Sequence, residues 1–367
     1  MDSLPLWLLL TTFVASAGVI WGAGIFLSET TDTLDTRLHL GSAFGGLIVL
    51  AVATNLPEVA ITVSAALAGN VDIAVGNILG GIAIQTVVIA VLDMLGKRAP
   101  DAKPLTYRAA SLTLVLEALV VVAVLTVVVA GSQLPSNLVV ARLTPDVILI
   151  AILWVVGLLL VQRAGRGLPW HQGGEAPDAT PHPQGHRTRH RSHSQAAEAS
   201  GSEKAPDTQH RSTRRTATLF AAAAVATLVA GVTLEKSGEA ASSQIGLTGV
   251  LFGATVLALA TSLPEISTGL QAVRQGDDNL AISDIFGGNA FLPVLFLVAT
   301  VISGNAILPR ARTSDIYLTA LAALLTLVYA VGLIFRPQRR VLGMGVDSMS
   351  VCVLYLVGLG GLIAITR

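Results

Sequence analysis

Apolar residues fill this chain in runs about as long as a bilayer is thick, and polar residues crowd into the gaps between them. The runs lie near 5–27, 40–68, 71–95, 108–131 and 145–162, and again near 217–234, 245–273, 279–303, 315–335 and 344–365. A helix of about twenty apolar residues crosses the hydrocarbon core of a membrane. The pattern therefore predicts an all-α membrane protein with ten transmembrane helices, five on each side of a polar interruption. The first run lacks the basic start of a signal peptide: its early charge is Asp2, and the apolar stretch continues to about Leu27. It reads as the first span.

The interruption divides the chain into 1–163, 164–215 and 216–367. Its middle part is rich in Pro, Gly, Ser, His and Arg, cannot bury a core, and is expected to be a disordered cytoplasmic linker. His182, His186, His190 and His193 would share one face of a helix there and could bind zinc or nickel. Pro181, Pro183 and Gly185 oppose such a helix, which favours a solvated basic segment.

Composition narrows the class. Charged residues make up 13% of the chain and hydrophobic residues 53%, whereas a soluble domain carries roughly 25% charged residues. Net charge is zero and gives no pointer to nucleic acid. The single cysteine, Cys352, makes neither an intrachain disulfide nor a zinc site. With no nucleophile–base set and no cofactor loop, a transporter is expected rather than an enzyme, working in the lipid bilayer without a cofactor or an obligatory protein partner. Basic residues mark the cytoplasmic loops. Arg37, the Lys97/Arg98/Lys103/Arg108 cluster, Arg274 and Arg336/Arg339/Arg340 outweigh Arg142, Lys236, Arg310 and Arg312 on the other side. That bias predicts a multi-pass protein of the cell membrane with its N-terminus outside.

One motif interrupts the apolar pattern twice. Residues 53–59 read ATNLPEV and residues 260–266 read ATSLPEI, at an offset of 265 − 58 = 207. The same offset lays GNVDIAVGNILGG at 69–81 on GDDNLAISDIFGG at 276–288 without a gap, and sets Asn77 on Asp284 (284 − 77 = 207). Two motifs in one register mark an internal duplication. An odd number of spans per copy turns the second copy upside down, the plan of secondary transporters whose site lies at mid-membrane on discontinuous helices.

Proline lacks an N–H and clashes with the preceding turn, so Pro57 and Pro264 are expected to break their helices. The carbonyls this frees, Ala53 and Ala260, become candidate oxygen ligands. The glycine pairs 80–81 and 287–288 would let helices approach closely. Glu58 and Glu265 then fall near mid-bilayer, where an unpaired charge costs at least ~3 kcal/mol, so each needs a counter-ion or a proton. Carboxylates, hydroxyls and carbonyls are hard ligands, and the pattern points to an alkali or alkaline-earth cation. Glu117 has no counterpart and reads as a bundle-facing acid or a relay. Asp93, Glu235 and Asp347 read as solvated residues at span ends.

TNLPE with GNILGG, and TSLPE with SDIFGG, resemble the paired alpha repeats of the sodium/calcium exchanger branch of the cation/calcium antiporter superfamily. The resemblance covers about 60 residues closely, and the ten-span layout extends it to the whole chain. It implies exchange of Ca2+ for Na+ by alternating access, with Ca2+/H+ exchange on the same scaffold as the alternative. It also implies that Glu58, Glu265, Asn77 and Asp284 bind the ions, with Thr54, Thr261 and Ser262 beside them. Asn55 stands where the family carries serine, and its amide oxygen still offers a cation ligand. Ile82 stands where asparagine normally follows the glycine pair; the second copy keeps Asn289. The polar middle segment has no room for the folded Ca2+-sensing domains of larger relatives.

Overall fold

The computed structural model describes residues 4–38, 52–69, 71–96, 103–109, 111–139, 142–165, 213–247 and 249–366. The first repeat contains α1 (Leu6–Leu38), α2 (Leu56–Ala68), α3 (Val71–Leu95), α4 (Leu112–Gly131) and α5 (Pro145–Ala164). The second contains α6 (Thr213–Gln244), α7 (Leu263–Gln275), α8 (Asp278–Ser303), α9 (Thr313–Phe335) and α10 (Val346–Thr366). The chain is thus a helical membrane protein of two inverted five-helix repeats. A short antiparallel pair, β1 (Arg340–Val341) and β2 (Met344–Gly345), precedes α10. The stretch carrying His182, His186, His190 and His193 lies outside the described residues.

Among the described residues, eight helices are long and apolar enough to cross a membrane. The two that fall short are α2 and α7, at 13 residues each. At 1.5 Å per residue each spans about 20 Å, less than the ~30 Å hydrocarbon core. The run at 245–273 is therefore not one helix, as its apolarity alone predicts, but a string of pieces. A turn at Gly249–Phe252 leads into a π-helical segment at Gly253–Leu257 and a further turn at Ala258–Thr261 before α7 begins. The cause of the break just before α7 is the proline. In an unbroken helix the N–H of residue 264 would bond the carbonyl of Ala260, and that of residue 57 the carbonyl of Ala53; Pro264 and Pro57 have none. Asn55 (φ −88°, ψ 14°) and Ser262 (φ −81°, ψ 4°) leave helical geometry, and new helices start from their carbonyls, which accept from Val59 N and Ile266 N at 3.0 and 3.1 Å. Both short helices end on a left-handed glycine, Gly69 (φ 77°) and Gly276 (φ 97°), again 276 − 69 = 207 residues apart. Glycine takes that conformation without the Cβ penalty, so both copies stop at the same point.

The core runs along α3, α4, α8 and α9. Burial ranks the helices: 78% of the apolar stretch of α3 and 67% of that of α8 are buried, against 28% for α1 and 17% for α10. The outer pair α1 and α6 lie along each other, and each also packs on the broken helix of the other repeat, α1 on α7 and α6 on α2. Glycine permits both crossings. A Cβ on Gly24 would sit 2.9 Å from Pro264 Cβ and 3.2 Å from its Cα, and one on Gly231 would sit 3.2 Å from the Pro57 carbonyl and 3.3 Å from its Cα. These glycines are themselves counterparts (231 − 24 = 207), so each repeat braces the other's break. Gly24→Leu is expected to destabilise the protein by about 1–3 kcal/mol, the usual cost of overpacking, and to impair transport together with it. Thermal unfolding and vesicle flux of that variant, against Gly24→Ala as the milder change, check this.

Candidate ion-binding site

Glu58 and Glu265 stand in the first turns of α2 and α7, immediately after the prolines. The exposed N–H groups of a helix start favour negative charge there. Both glutamates are completely buried, as are Thr54, Asn55, Asn77, Thr261 and Ser262; Asp284 is 5% exposed, and Ala53 and Ala260 are buried as well. The two breaks face each other crosswise. The Thr261 hydroxyl lies beside the Glu58 carboxyl and the Thr54 hydroxyl beside Glu265, while Glu265 is within electrostatic range of both Glu58 and Asp284. One site is therefore built from both repeats.

The polar atoms of this site are under-used. Oε2 of Glu58, both carboxyl oxygens of Glu265 and both amide atoms of Asn77 have no hydrogen-bond partner although fully buried. A buried polar group without a partner costs about 1–3 kcal/mol, and a charged one more. Among the described residues, no three Asp, Glu, His or Cys side chains gather closely enough to cage a metal by themselves. A cation held here would need neutral oxygens in addition to carboxylates, which the threonines, the amides and the two freed carbonyls can supply. The arrangement is charged, dry, rich in oxygen and without thiolate or imidazole. It suits a hard cation.

The repeats are not equivalent at the charge-changing position. Asp284 accepts a hydrogen bond from Thr268 at 2.9 Å. The counterpart of Thr268 is Ile61 (268 − 207 = 61), which gives Asn77 no hydroxyl to meet. The glycine pairs also divide the work. A Cβ on Gly80 would come within 2.5 Å of the Ala254 backbone, so α3 and the π-helical segment touch there, whereas a Cβ on Gly81 would make only ordinary contact with Leu292, at 3.7 Å. On α8, Gly288 leaves room for the Asn55 side chain, which would otherwise meet a Cβ at 2.9 Å. That is how asparagine fits where a serine is expected.

The sequence profile described as "Sodium/calcium exchanger protein" matches residues 7–162 and 216–363, which takes in both breaks and both central helices. The chain belongs to the sodium/calcium exchanger family. Similar proteins include one named "Putative antiporter CaxA" from Alkalimonas amylolytica, 26% identical over 325 residues, 88% of this chain and 89% of that one. The inner membrane protein YrbG of Escherichia coli (strain K12) is 26% identical over 272 residues, 74% of this chain and 72% of that one. In fold, the exchanger resembles the H+/Ca2+ exchanger CAX at a TM-score of 0.66, with 14% identity, 96% of this chain and 81% of that one covered. It likewise resembles the sodium-calcium exchanger NCX_Mj at 0.60, with 14% identity and 97% and 99% covered. The protein is a membrane cation exchanger and not an enzyme.

The structure also brings residues to the exchanger's site that motif reading passed over. Gln85 is fully buried, and its amide lies 3.5 Å from both Asn55 Oδ1 and Glu58 Oε1. Its signal was present in the spacing, since Asn77, Gly81 and Gln85 recur every four residues along one face of α3. Asn289 donates to Thr86 at 3.1 Å and ties α8 to α3, a cross-repeat bond that Ile82 cannot copy in the first repeat. Glu117 is buried and accepts at 3.0 Å from Ser283, the residue before Asp284, which makes it a bundle-facing acid. The expectation of solvation fails for three other acids. Asp93, Glu235 and Asp347 are 2%, 3% and 6% exposed. Neighbouring elements cover the helix ends that carry Asp93 and Asp347, whereas Glu235 lies inside α6, which runs on to Gln244, and has Ser64 of α2 beside it.

Proposed function

We propose that this protein exchanges Ca2+ for Na+ across the cell membrane by alternating access, with Glu58 and Glu265 as the charged ligands of both ions. The observation that carries the reading is the crosswise pair of fully buried glutamates, each at a proline-broken helix start and each facing a threonine of the opposite repeat. Two carboxylates are neutralised by one divalent ion or by a set of monovalent ones, and cannot hold both at once. That exclusion couples the fluxes. Asn77, Asp284, Asn55, Thr54, Thr261, Ser262 and the carbonyls of Ala53 and Ala260 complete the oxygen shell in this reading. The basic loops support an outside N-terminus and a cytoplasmic central segment.

Proton coupling on the same scaffold is the second reading, favoured by Glu265 lying within electrostatic range of both Glu58 and Asp284, where protons could replace sodium. Vesicles loaded with Ca2+ decide between them. Under the proposal an imposed Na+ gradient drives Ca2+ flux, and a pH gradient without Na+ does not. Flux driven by pH alone transfers the function to the second reading. Residues 164–215 contribute no ligand in either case. Deleting 176–210 is therefore expected to leave vesicle flux within about twofold of the full chain, and a correctly inserted deletion variant without flux would refute this.

A further inference from the structure

A second knot of buried oxygens stands where α3 ends and α10 begins. Asp93 lies 16 residues beyond Asn77 on α3 (93 − 77 = 16), about 24 Å along the helix at 1.5 Å per residue, so this place is separate from the paired glutamates. The Asp93 carboxylate accepts from Leu105 N at 2.8 Å, Gly345 N at 2.6 Å and Ser348 Oγ at 3.0 Å. Asp347, on the first turn of α10, differs: it is 6% exposed and neither carboxyl oxygen has a hydrogen-bond partner. Thr106 lies against that carboxyl, is 1% exposed, and its hydroxyl is likewise without a partner. Tyr329, fully buried on α9, donates to Ser348 Oγ at 3.4 Å.

Two glycines make the space. A Cβ on Gly332 or on Gly345 would run into the carboxylate oxygens of Asp347. Asp93 Oδ2 is 3.3 Å from the same point on Gly345, and Asp347 Oδ1 is nearer still, so the two oxygens are separated by less than twice that distance. Asp347 therefore feels the like charge of Asp93 at short range. Three basic side chains of this end have other partners: Lys103 bonds Gln338 at 2.9 Å, Arg336 covers the Tyr107 ring at 4.9 Å, and Arg340 bonds the Gly343 carbonyl.

We propose that Asp93, Asp347 and the hydroxyls of Thr106, Tyr329 and Ser348 form a second divalent-cation site that holds Ca2+ as a bound rather than a transported ion. The two carboxylates carry −2 when ionised, which one divalent ion neutralises. The donors are all oxygen, hence hard. They come from four separate elements with no octahedral plan, which Ca2+ tolerates and Mg2+ does not. An ion here would clamp α3, the Leu105–Arg108 turn, α9 and α10 together.

The test uses full-length protein in detergent carrying Glu58→Gln and Glu265→Gln, so that binding at the paired glutamates is weakened in every sample. Equilibrium 45Ca2+ binding and thermal unfolding with and without Ca2+ are measured. The expected result is about one Ca2+ retained per chain and an unfolding temperature raised by Ca2+; adding Asp347→Asn weakens both at least tenfold. Thr106→Val, which keeps both carboxylates, is expected to weaken binding several-fold while leaving the Ca2+-free unfolding temperature unchanged. Absence of Ca2+ binding in the double-glutamine protein overturns the site. So does binding that neither Asp347→Asn nor Thr106→Val alters, or a carboxyl pair stabilised by acid but indifferent to Ca2+. Because each comparison is made within the double-glutamine protein, these outcomes are independent of whether the paired glutamates transport Ca2+.

Discussion

Glu58→Gln or Glu265→Gln is expected to abolish Ca2+ exchange in a protein that still inserts and folds. Glutamine keeps the volume and one carbonyl oxygen but removes the charge. On the proposed reading the charge is the essential part: a divalent ion in a fully buried site requires nearly matching negative charge, which the two buried glutamates would provide from opposite repeats. Removing one partner of a buried charge pairing costs about 3–5 kcal/mol, which at 1.4 kcal/mol per decade is a loss of about 100-fold or more in affinity. Folding should survive. Unpaired carboxyls in hydrocarbon are costly to begin with, and an amide is cheaper to bury, so either variant should unfold no earlier than the parent in the absence of Ca2+. Vesicle uptake with a monodispersity check measures both halves of the expectation. Wild-type flux in either variant would remove the glutamates from the mechanism.

The second large effect concerns Asn77 and Asp284, where the duplication has changed charge. With Glu58 and Glu265 ionised, an ionised Asp284 would bring the site to −3 and leave −1 around bound Ca2+, an unfavourable residue of charge in a buried place. Ca2+ is therefore expected to be held without an ionised Asp284 in direct coordination. The bond of Asp284 to Thr268 at 2.9 Å shows what this residue does besides: it is held by a hydroxyl that the first repeat lacks. Asparagine can accept that bond through its amide oxygen, so Asp284→Asn should keep most Ca2+ uptake, within about threefold of wild type. Asn77→Asp is the opposite change. It adds a third or fourth like charge in a repeat that carries Ile61 at the position of Thr268, so protons should compete with Ca2+ more strongly. Uptake measured against pH is then expected to fail at a pH at least one unit higher than in wild type. An unshifted profile for Asn77→Asp, or complete loss of uptake for Asp284→Asn, would contradict this account of the site.

The local breaks were legible because their cause is local. Proline at 57 and 264 removes a particular hydrogen bond, glycine at 69 and 276 permits a left-handed cap, and a register of 207 residues relates the two copies by simple subtraction. Burial of Glu58 and Glu265 followed from apolar runs too long to leave them in water. The crossed pairing did not follow. Nothing in one repeat's sequence says that Thr261 faces Glu58 while Thr54 faces Glu265, since that depends on how two inverted copies seat against each other. Gln85 escaped motif reading because its counterpart is Leu292, so the repeat gave it no echo. Asp93 and Asp347 were misjudged as solvated because position near a span end measures depth along one helix. Whether a turn, a β pair and two neighbouring helices close over that end is settled by packing among segments distant in the chain. By itself, then, the sequence determined most of the spans, the duplication, the proline breaks and the acids beside them, all consequences of backbone chemistry and hydropathy at short range. The tertiary structure alone decided which oxygens face one another and which are sealed from water, because those depend on contacts between helices that no local pattern encodes.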